Sequence, residues 1–236
     1  MALRQESHRL PIPFDLCDIM IDLHTHTLFS DGELIPSELV RRATVHGYTA
    51  IGLTDHVDFT NIEFVLKNLK QAKYLEKELN VHVLVGVELT HIPPSKMEKL
   101  VNKAKQLGAE LVVVHGETIA EPVLPGTNSA TVRLEDVDIL AHPGFISIED
   151  AETASNNGVY LEITARNGHS LTNGHVAKIA NETSATLIVS TDAHGPEDLV
   201  TKERAIDVAR GAGLDKKDAD RVVSDNSRKL LERIIG

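Results

Sequence analysis

The sequence predicts a parallel α/β domain of seven strand–helix alternations, with closure into a barrel matching the available length. Three observations carry that class. Short continuous apolar runs alternate with longer amphipathic stretches, as parallel strands buried on both faces require. The 236 residues fit a single barrel of roughly 200–250 residues. Aromatic residues are 3 % of the chain and tryptophan is absent, so the core is aliphatic, which a barrel lined with branched side chains tolerates. Alternation alone leaves a doubly wound sheet open.

In chain order, strands are expected near Met20–Leu23, Ala50–Thr54, His82–Val87, Glu110–His115, Asp138–His142, Val159–Ile163 and Thr186–Thr191. Between the first two, the stretch from Pro36 to His46 has proline in its first turn and stops at Gly47. Ile62–Leu79 sets Leu66, Leu69, Tyr74, Leu75 and Leu79 at helical spacing, and Ser95–Leu107 opens on a serine cap and ends at Gly108. Further helices are expected at Ile148–Asn156, Leu171–Asn181, Lys202–Ala212 and Lys216–Ser224. One link breaks the rhythm: Gly116–Glu135 holds Pro122, Pro125 and Gly126, carries at most a short helix, and has the length of a lid or binding loop. The expected organisation is one barrel domain over residues 19–236, preceded by an N-terminal extension over residues 1–18.

Composition narrows the partners. With 24 Lys+Arg against 35 Asp+Glu the net charge is −11, which argues against a broad electrostatic grip on DNA or RNA. A phosphate ester stays open as substrate if a bound cation reverses the local field. Cys17 is the only cysteine, so no disulfide forms within the chain and no thiolate zinc cluster is available. No apolar run approaches the ~18–20 residues of a membrane span, and Met1–Met20 is too polar and proline-interrupted for a secretory leader. A cytoplasmic protein without a membrane partner is expected; the oligomeric state is not legible.

The titratable residues fall in a pattern. The first strand runs into Asp22-Leu23-His24-Thr25-His26, followed by Ser30-Asp31-Gly32. Residues two apart in an extended segment point the same way, so His24 and His26 can hold one cation together. The next strands end in Thr54-Asp55-His56, Gly86-Val87-Glu88, His115-Gly116 and Ala141-His142-Pro143-Gly144, and the last in Thr191-Asp192-Ala193-His194-Gly195. In a parallel barrel those carboxyl ends share one face, where active sites of this architecture sit. Ionisable groups converging there without a cation would suffer large desolvation and crowding costs. A multinuclear metal site removes them.

Together these motifs resemble the PHP family, the phosphoesterase domains named after polymerase and histidinol phosphatase. The resemblance runs from Ile19 onward and rests on Asp22-Leu23-His24-Thr25-His26…Ser30-Asp31-Gly32, Leu53-Thr54-Asp55-His56, Gly86-Val87-Glu88, Val114-His115-Gly116, Leu140-Ala141-His142-Pro143 and Ser190-Thr191-Asp192-Ala193-His194. It implies a distorted seven-stranded (β/α)7 TIM-like barrel with three divalent ions at the carboxyl-end face. By position, His24, His26, Glu88 and Asp192 would surround one ion, Glu88, His115 and His142 a second, and Asp31, His56 and His194 the third. Some relatives have histidine where this chain has Asp31, and a carboxylate there favours harder ions, so zinc, manganese and iron all stay open.

Such a site implies direct hydrolysis of a phosphate ester by a metal-bound hydroxide, with Glu88, His115 and Asp192 as the catalytic set and no serine or cysteine nucleophile. Arg166, just past the sixth strand, is expected to grip phosphate, and His169, with His175 beyond it, to face the pocket. Glu162 reads as a support for a ligand or a buried pairing partner, Asp55 as a structural hydrogen-bond acceptor, and His91 as the finish of its loop. Glu76 and Glu78 read as solvated surface. The expected substrate is a small phosphorylated metabolite or nucleotide, with a short oligonucleotide end also precedented in the family. Two rival classes stay open: an amidohydrolase acting on C–N bonds, and a non-catalytic RNA-binding barrel like the protein subunits of ribonuclease P. The first would show eight strands and a ligating lysine, the second lost ligands and a basic surface.

Overall fold

A computed structural model describes residues 20–236; the N-terminal extension, Cys17 and His8 lie outside the described residues. Seven parallel strands form the framework: β1 Met20–Thr25, β2 Tyr48–Leu53, β3 His82–Leu89, β4 Leu111–His115, β5 Ile139–Ala141, β6 Tyr160–Thr164 and β7 Leu187–Ser190. Each pairs with the next in sequence order, which makes a nearly closed (β/α)7 barrel and excludes the doubly wound alternative. β2 stops at Leu53 and resumes as a two-residue strand, His56–Val57, in unchanged register: Leu53 pairs with Val85 and His56 with Glu88. The gap is Thr54-Asp55: Thr54 Oγ1 bonds to the Thr25 backbone at the end of β1, and Asp55 bonds to Thr27 and Ser30 in the loop that follows.

Closure between β7 and β1 is confined to the carboxyl-end rim. There Asp192 N donates to His24 O (2.9 Å) and His26 N to Ala193 O (2.8 Å). Toward the amino end the barrel interior is filled by Ile21, Leu23, Ala50, Leu84, Leu111, Val113, Ile139 and Ile188, with Leu230 and Leu231 of the C-terminal helix Ser227–Ile235 packed among them. The outward strand residues join the surrounding helices in a second, larger apolar cluster.

Most helices follow the sequence reading, and the departures have local causes. Ile62–Leu79 is not one helix: a 3-10 turn over Lys70–Lys73 separates Ile62–Leu69 from Tyr74–Leu79. The break turns Tyr74 out to solvent, 61 % exposed, while Leu75 stays buried. The helix expected at Ser95 begins at Pro94, where the fixed proline φ serves the first turn, and Pro93 precedes it without a side-chain cap. The helix expected from Leu171 starts at Asn173, after a 3-10 turn over His169–Thr172. Lys216–Ser224 continues to Ile235 through a π-helical segment, Arg221–Asn226. Glu76 is not simple surface: its Oε1 accepts from Lys73 Nζ (2.9 Å) and Val83 N (3.0 Å), pinning the amino end of β3. Among the described residues, no helix is long and apolar enough to cross a membrane.

Candidate metal centre

Strand alternation supplies most of the site. Leu84 faces the barrel interior, and two steps of two along β3 carry that direction to Glu88. The same count leads from Leu111 and Val113 to His115, from Tyr160 to Glu162, and from Ile188 through Ser190 to Asp192. Asp55 lies on the opposite parity from His56 and behaves accordingly. Its carboxylate accepts from Thr27 N (2.9 Å), Thr27 Oγ1 (2.8 Å) and Ser30 Oγ (2.7 Å), which fixes the loop carrying Asp31.

His24, His26 and His142 break the alternation. Leu23 already points inward, so His24 reaches the centre only because the β1–β2 register shifts between Asp22 and Thr25. Asp22 holds that irregularity by accepting from His24 N (3.2 Å), Thr191 N (3.2 Å) and Thr191 Oγ1 (2.5 Å). Burial raises the Asp22 carboxyl to about 6. His142 shares the outward parity of Leu140 and is brought in by a left-handed backbone, φ +27°. Asp192 (φ +53°) and His91 (φ +54°) are likewise left-handed. Such conformations cost of order 1–3 kcal/mol each and concentrate at functional sites.

The nine residues expected to bind metal converge. Glu88 Oε2 lies 3.3 Å from His24 Nε2, 3.5 Å from His26 Nε2 and 2.7 Å from His56 Nδ1, and Glu88 Oε1 lies 3.6 Å from His142 Nε2. Asp192 Oδ1 is 3.1 Å from His26 Nε2 and Oδ2 3.7 Å from His142 Nε2. Asp31 Oδ1 is 3.2 Å from His194 Nε2 and 3.6 Å from His56 Nε2. Donor atoms of His24, His26 and Glu88 lie within 4.8 Å of one another, as do those of Glu88, His115 and His142, of His24, His142 and Asp192, and of His26, Asp31, His56 and His194.

The Nδ1 atoms of His24, His115 and His194 are already engaged, which leaves their Nε2 atoms to face the centre, whereas the buried Nδ1 atoms of His26 and His142 have no hydrogen-bond partner among the described residues. Glu162 Oε1 takes His24 Nδ1 (2.8 Å), and its Oε2 accepts from His142 N (2.9 Å). His115 Nδ1 donates to Gly116 O (3.2 Å) and His194 Nδ1 to Asp192 O (2.9 Å). Both Glu88 oxygens and Asp192 Oδ1 are fully buried with no aligned hydrogen-bond donor. Buried carboxylate oxygens facing imidazole lone pairs, with no protein donors, suit divalent ions. Without ions the charges must be met by protons. Burial opposes charge on His24, yet Glu162, Glu88 and Asp192 hold its pKa well above the ordinary imidazole value. Burial likewise opposes ionisation of Glu88, yet His24 and His56 keep its pKa well below the usual carboxylate range. His26 is pushed well below its usual value by burial and by His56.

Arg166 stands at the rim with Nη1 3.3 Å from Asp192 O and 3.4 Å from Asp198 Oδ2, and Nε 3.8 Å from Asp192 Oδ2. His169 is buried, stacks on His142 with ring centroids 4.3 Å apart, and bonds through Nδ1 to Thr118 Oγ1 (2.7 Å). Burial, then His142, lowers His169 to about 4, so it sits at the site as a neutral ring. His175 does not face the pocket: its Nε2 donates to Ile146 O (2.8 Å) and its ring meets Phe145 edge-on. Sequence reasoning missed Glu121, delivered by the long loop after β4. Its carboxylate lies 3.2 Å from both His115 Nε2 and His91 Nε2 and 3.5 Å from His169 Nε2. Nothing in the loop sequence sets it apart from other surface acids.

The PHP domain family model matches residues 22–107, the segment from the paired histidines past Glu88. The chain belongs to the PHP family. A relative 52 % identical over 215 residues, 90 % of this chain and 99 % of its own, is an uncharacterised protein of Methanocaldococcus jannaschii. A probable phosphatase of a Shewanella species is 26 % identical, with 89 % of each chain aligned. Among solved structures, a chain in a cryo-EM structure of archaeal ribonuclease P with mature tRNA superposes with a TM-score of 0.70 at 16 % identity, covering 91 % of this PHP domain and 90 % of that chain. At that identity the likeness shows the shared barrel.

Proposed function

We propose that this PHP domain is a metal-dependent phosphoesterase that hydrolyses a small phosphorylated metabolite or nucleotide, with a short oligonucleotide end as a second substrate form. One observation carries the reading: the buried, donorless oxygens of Glu88 and Asp192 are ringed by the imidazoles of His24, His26, His56 and His142. His24, His26, Glu88 and Asp192 would hold one ion, Glu88, His115 and His142 a second, and Asp31, His56 and His194 a third, with zinc, manganese and iron as candidates. When bound, divalent ions neutralise phosphoryl oxygens and lower the pKa of a coordinated water to about 7.

The chain's own groups do the positioning. Against its burial, His24 and His56 hold Glu88 ionised, while burial raises the Asp192 carboxyl, and His115 presents Nε2 because its Nδ1 is bonded to Gly116 O. Arg166, braced by Asp192 and Asp198 but 30 % exposed at the rim, offers donors to a phosphate entering from solvent. His169, neutral and fixed by Thr118, offers a single hydrogen bond through Nε2. Among the described residues no cysteine joins this cluster of donors, which supports hydrolysis without a thiol nucleophile. The name of the Shewanella relative supports the reaction class. The retained donor set and the −11 charge favour this over an RNA-binding scaffold, and the seven-stranded order favours it over an amidohydrolase.

The test is a panel of aryl phosphates, phosphomonoesters, phosphodiesters, nucleotides and cyclic amides, assayed with protein loaded separately with zinc, manganese and iron. Phosphate release without a trapped phosphoenzyme is the expected result. Turnover of the amides alone, or a covalent phosphoenzyme, would overturn it.

A further inference from the structure

Beyond the nine-residue centre, a second donor set stands on its outer edge. His91, in the loop after β3, is 44 % exposed, and Glu121, in the loop after β4, is 39 % exposed; His115, 2 % exposed, links them to the interior. His91 Nε2 and His115 Nε2 each lie 3.2 Å from Glu121 Oε2, and the three donor atoms lie within 4.8 Å of one another. Two ligands bound to zinc at about 2.0–2.1 Å in tetrahedral geometry are separated by roughly 3.3 Å, and each histidine–carboxylate separation here matches that value. The rings of His91 and His115 stack with centroids 5.2 Å apart. The left-handed backbone at His91, φ +54°, is an uncommon conformation for a non-glycine residue.

His115 belongs to both sets. Its Nδ1 is committed to Gly116 O, so Nε2 has the one remaining lone pair, and one lone pair serves one ion. We propose that His91, His115 and Glu121 form an outer cation seat that excludes occupation of the inner Glu88–His115–His142 position. Two imidazoles and one carboxylate select zinc over manganese or magnesium. Excess zinc therefore draws His115 outward and depletes the inner ion. This rests on the metal-centre reading above for its consequence, but not for the existence of the outer seat.

Crystals of the full chain loaded with manganese, then soaked in graded zinc, separate the two ions by anomalous scattering at the manganese and zinc edges. A zinc peak between His91, His115 and Glu121 is expected, rising as manganese beside Glu88 and His142 falls. His91→Ala and Glu121→Gln crystals should lack the outer peak, and the zinc concentration that inhibits manganese-loaded protein should rise at least tenfold in both variants. Manganese inside with no outer zinc peak would overturn the outer seat, and simultaneous full occupancy of both positions would overturn the exclusion; either leaves the metal centre standing. An outer zinc peak in crystals that held no manganese beside Glu88 and His142 before any zinc was added would overturn the metal-centre reading and leave the seat.

Discussion

Removal of the His115 imidazole takes away one of the three donors proposed to hold the second ion with Glu88 and His142. The His115→Ala variant should lose turnover by at least about a hundredfold and one divalent ion per chain while keeping its circular-dichroism spectrum. Wild-type turnover in that variant would remove the second ion from the reaction. Glu162 acts one step further out, through His24 Nδ1 and His142 N. Glu162→Gln keeps the shape but weakens the bond that orients His24, so metal affinity, read by competition with a chelator, should fall about 10–100-fold. At this scale the sequence was informative where strand parity decides the direction: Glu88, His115, Asp192 and the outward Asp55 all lie where an alternating count puts them. The spacing of two put His24 and His26 on one face, but that this face is the barrel centre, and that His142 turns inward, was not legible, because a register shift and a left-handed residue leave no mark in the hydrophobic pattern. Glu121 has no local signal, being an ordinary acid whose role arises only when two loops meet.

Among the elements, the loops after β4 and β5 depend on each other. Gly144 sits at φ +61°, and a Cβ there would lie 1.8 Å from Glu117 O. Gly144→Ala should destabilise the fold by about 2–4 kcal/mol in urea unfolding, combining left-handed strain with a backbone clash; a change below about 0.5 kcal/mol would show that the loops are not packed as described. Asn128 adds a second tie, its Nδ2 donating to Pro143 O (2.8 Å). Strands were easy to place because a buried parallel strand is a short apolar run. Helix limits were harder: the 3-10 turn at Lys70–Lys73 and the π segment at Arg221–Asn226 are set by tertiary packing and not by intrinsic propensity.

For the whole molecule, the barrel is closed by hydrogen bonds at one end and by a helix at the other. Leu230 is fully buried among interior strand residues. Leu230→Ala should cost about 2–5 kcal/mol, measured by chemical denaturation, and a cost under about 1 kcal/mol would show that the C-terminal helix is not part of the core. The seven alternations were legible from the sequence; this plug was not, since amphipathic patterning shows that a helix has an apolar face but not which cavity the face fills. The centre should also respond to acid as a unit. The imidazoles proposed to bind metal must be neutral to do so, and against burial the neighbouring carboxylates raise His24 well above the ordinary value and His56 to about 9, so protons compete with the ions as pH falls; metal retained on dialysis should drop on acidification and return when the pH is restored.

The central claim is that the clustered imidazoles and carboxylates hold several ions that the reaction requires. Elemental analysis of the purified chain before and after exhaustive chelation, with aryl-phosphate hydrolysis followed on the same samples, tests it most directly. The account predicts three divalent ions per chain, loss of hydrolysis on their removal and recovery when zinc, manganese or iron is restored. Undiminished hydrolysis by the metal-free chain would contradict it.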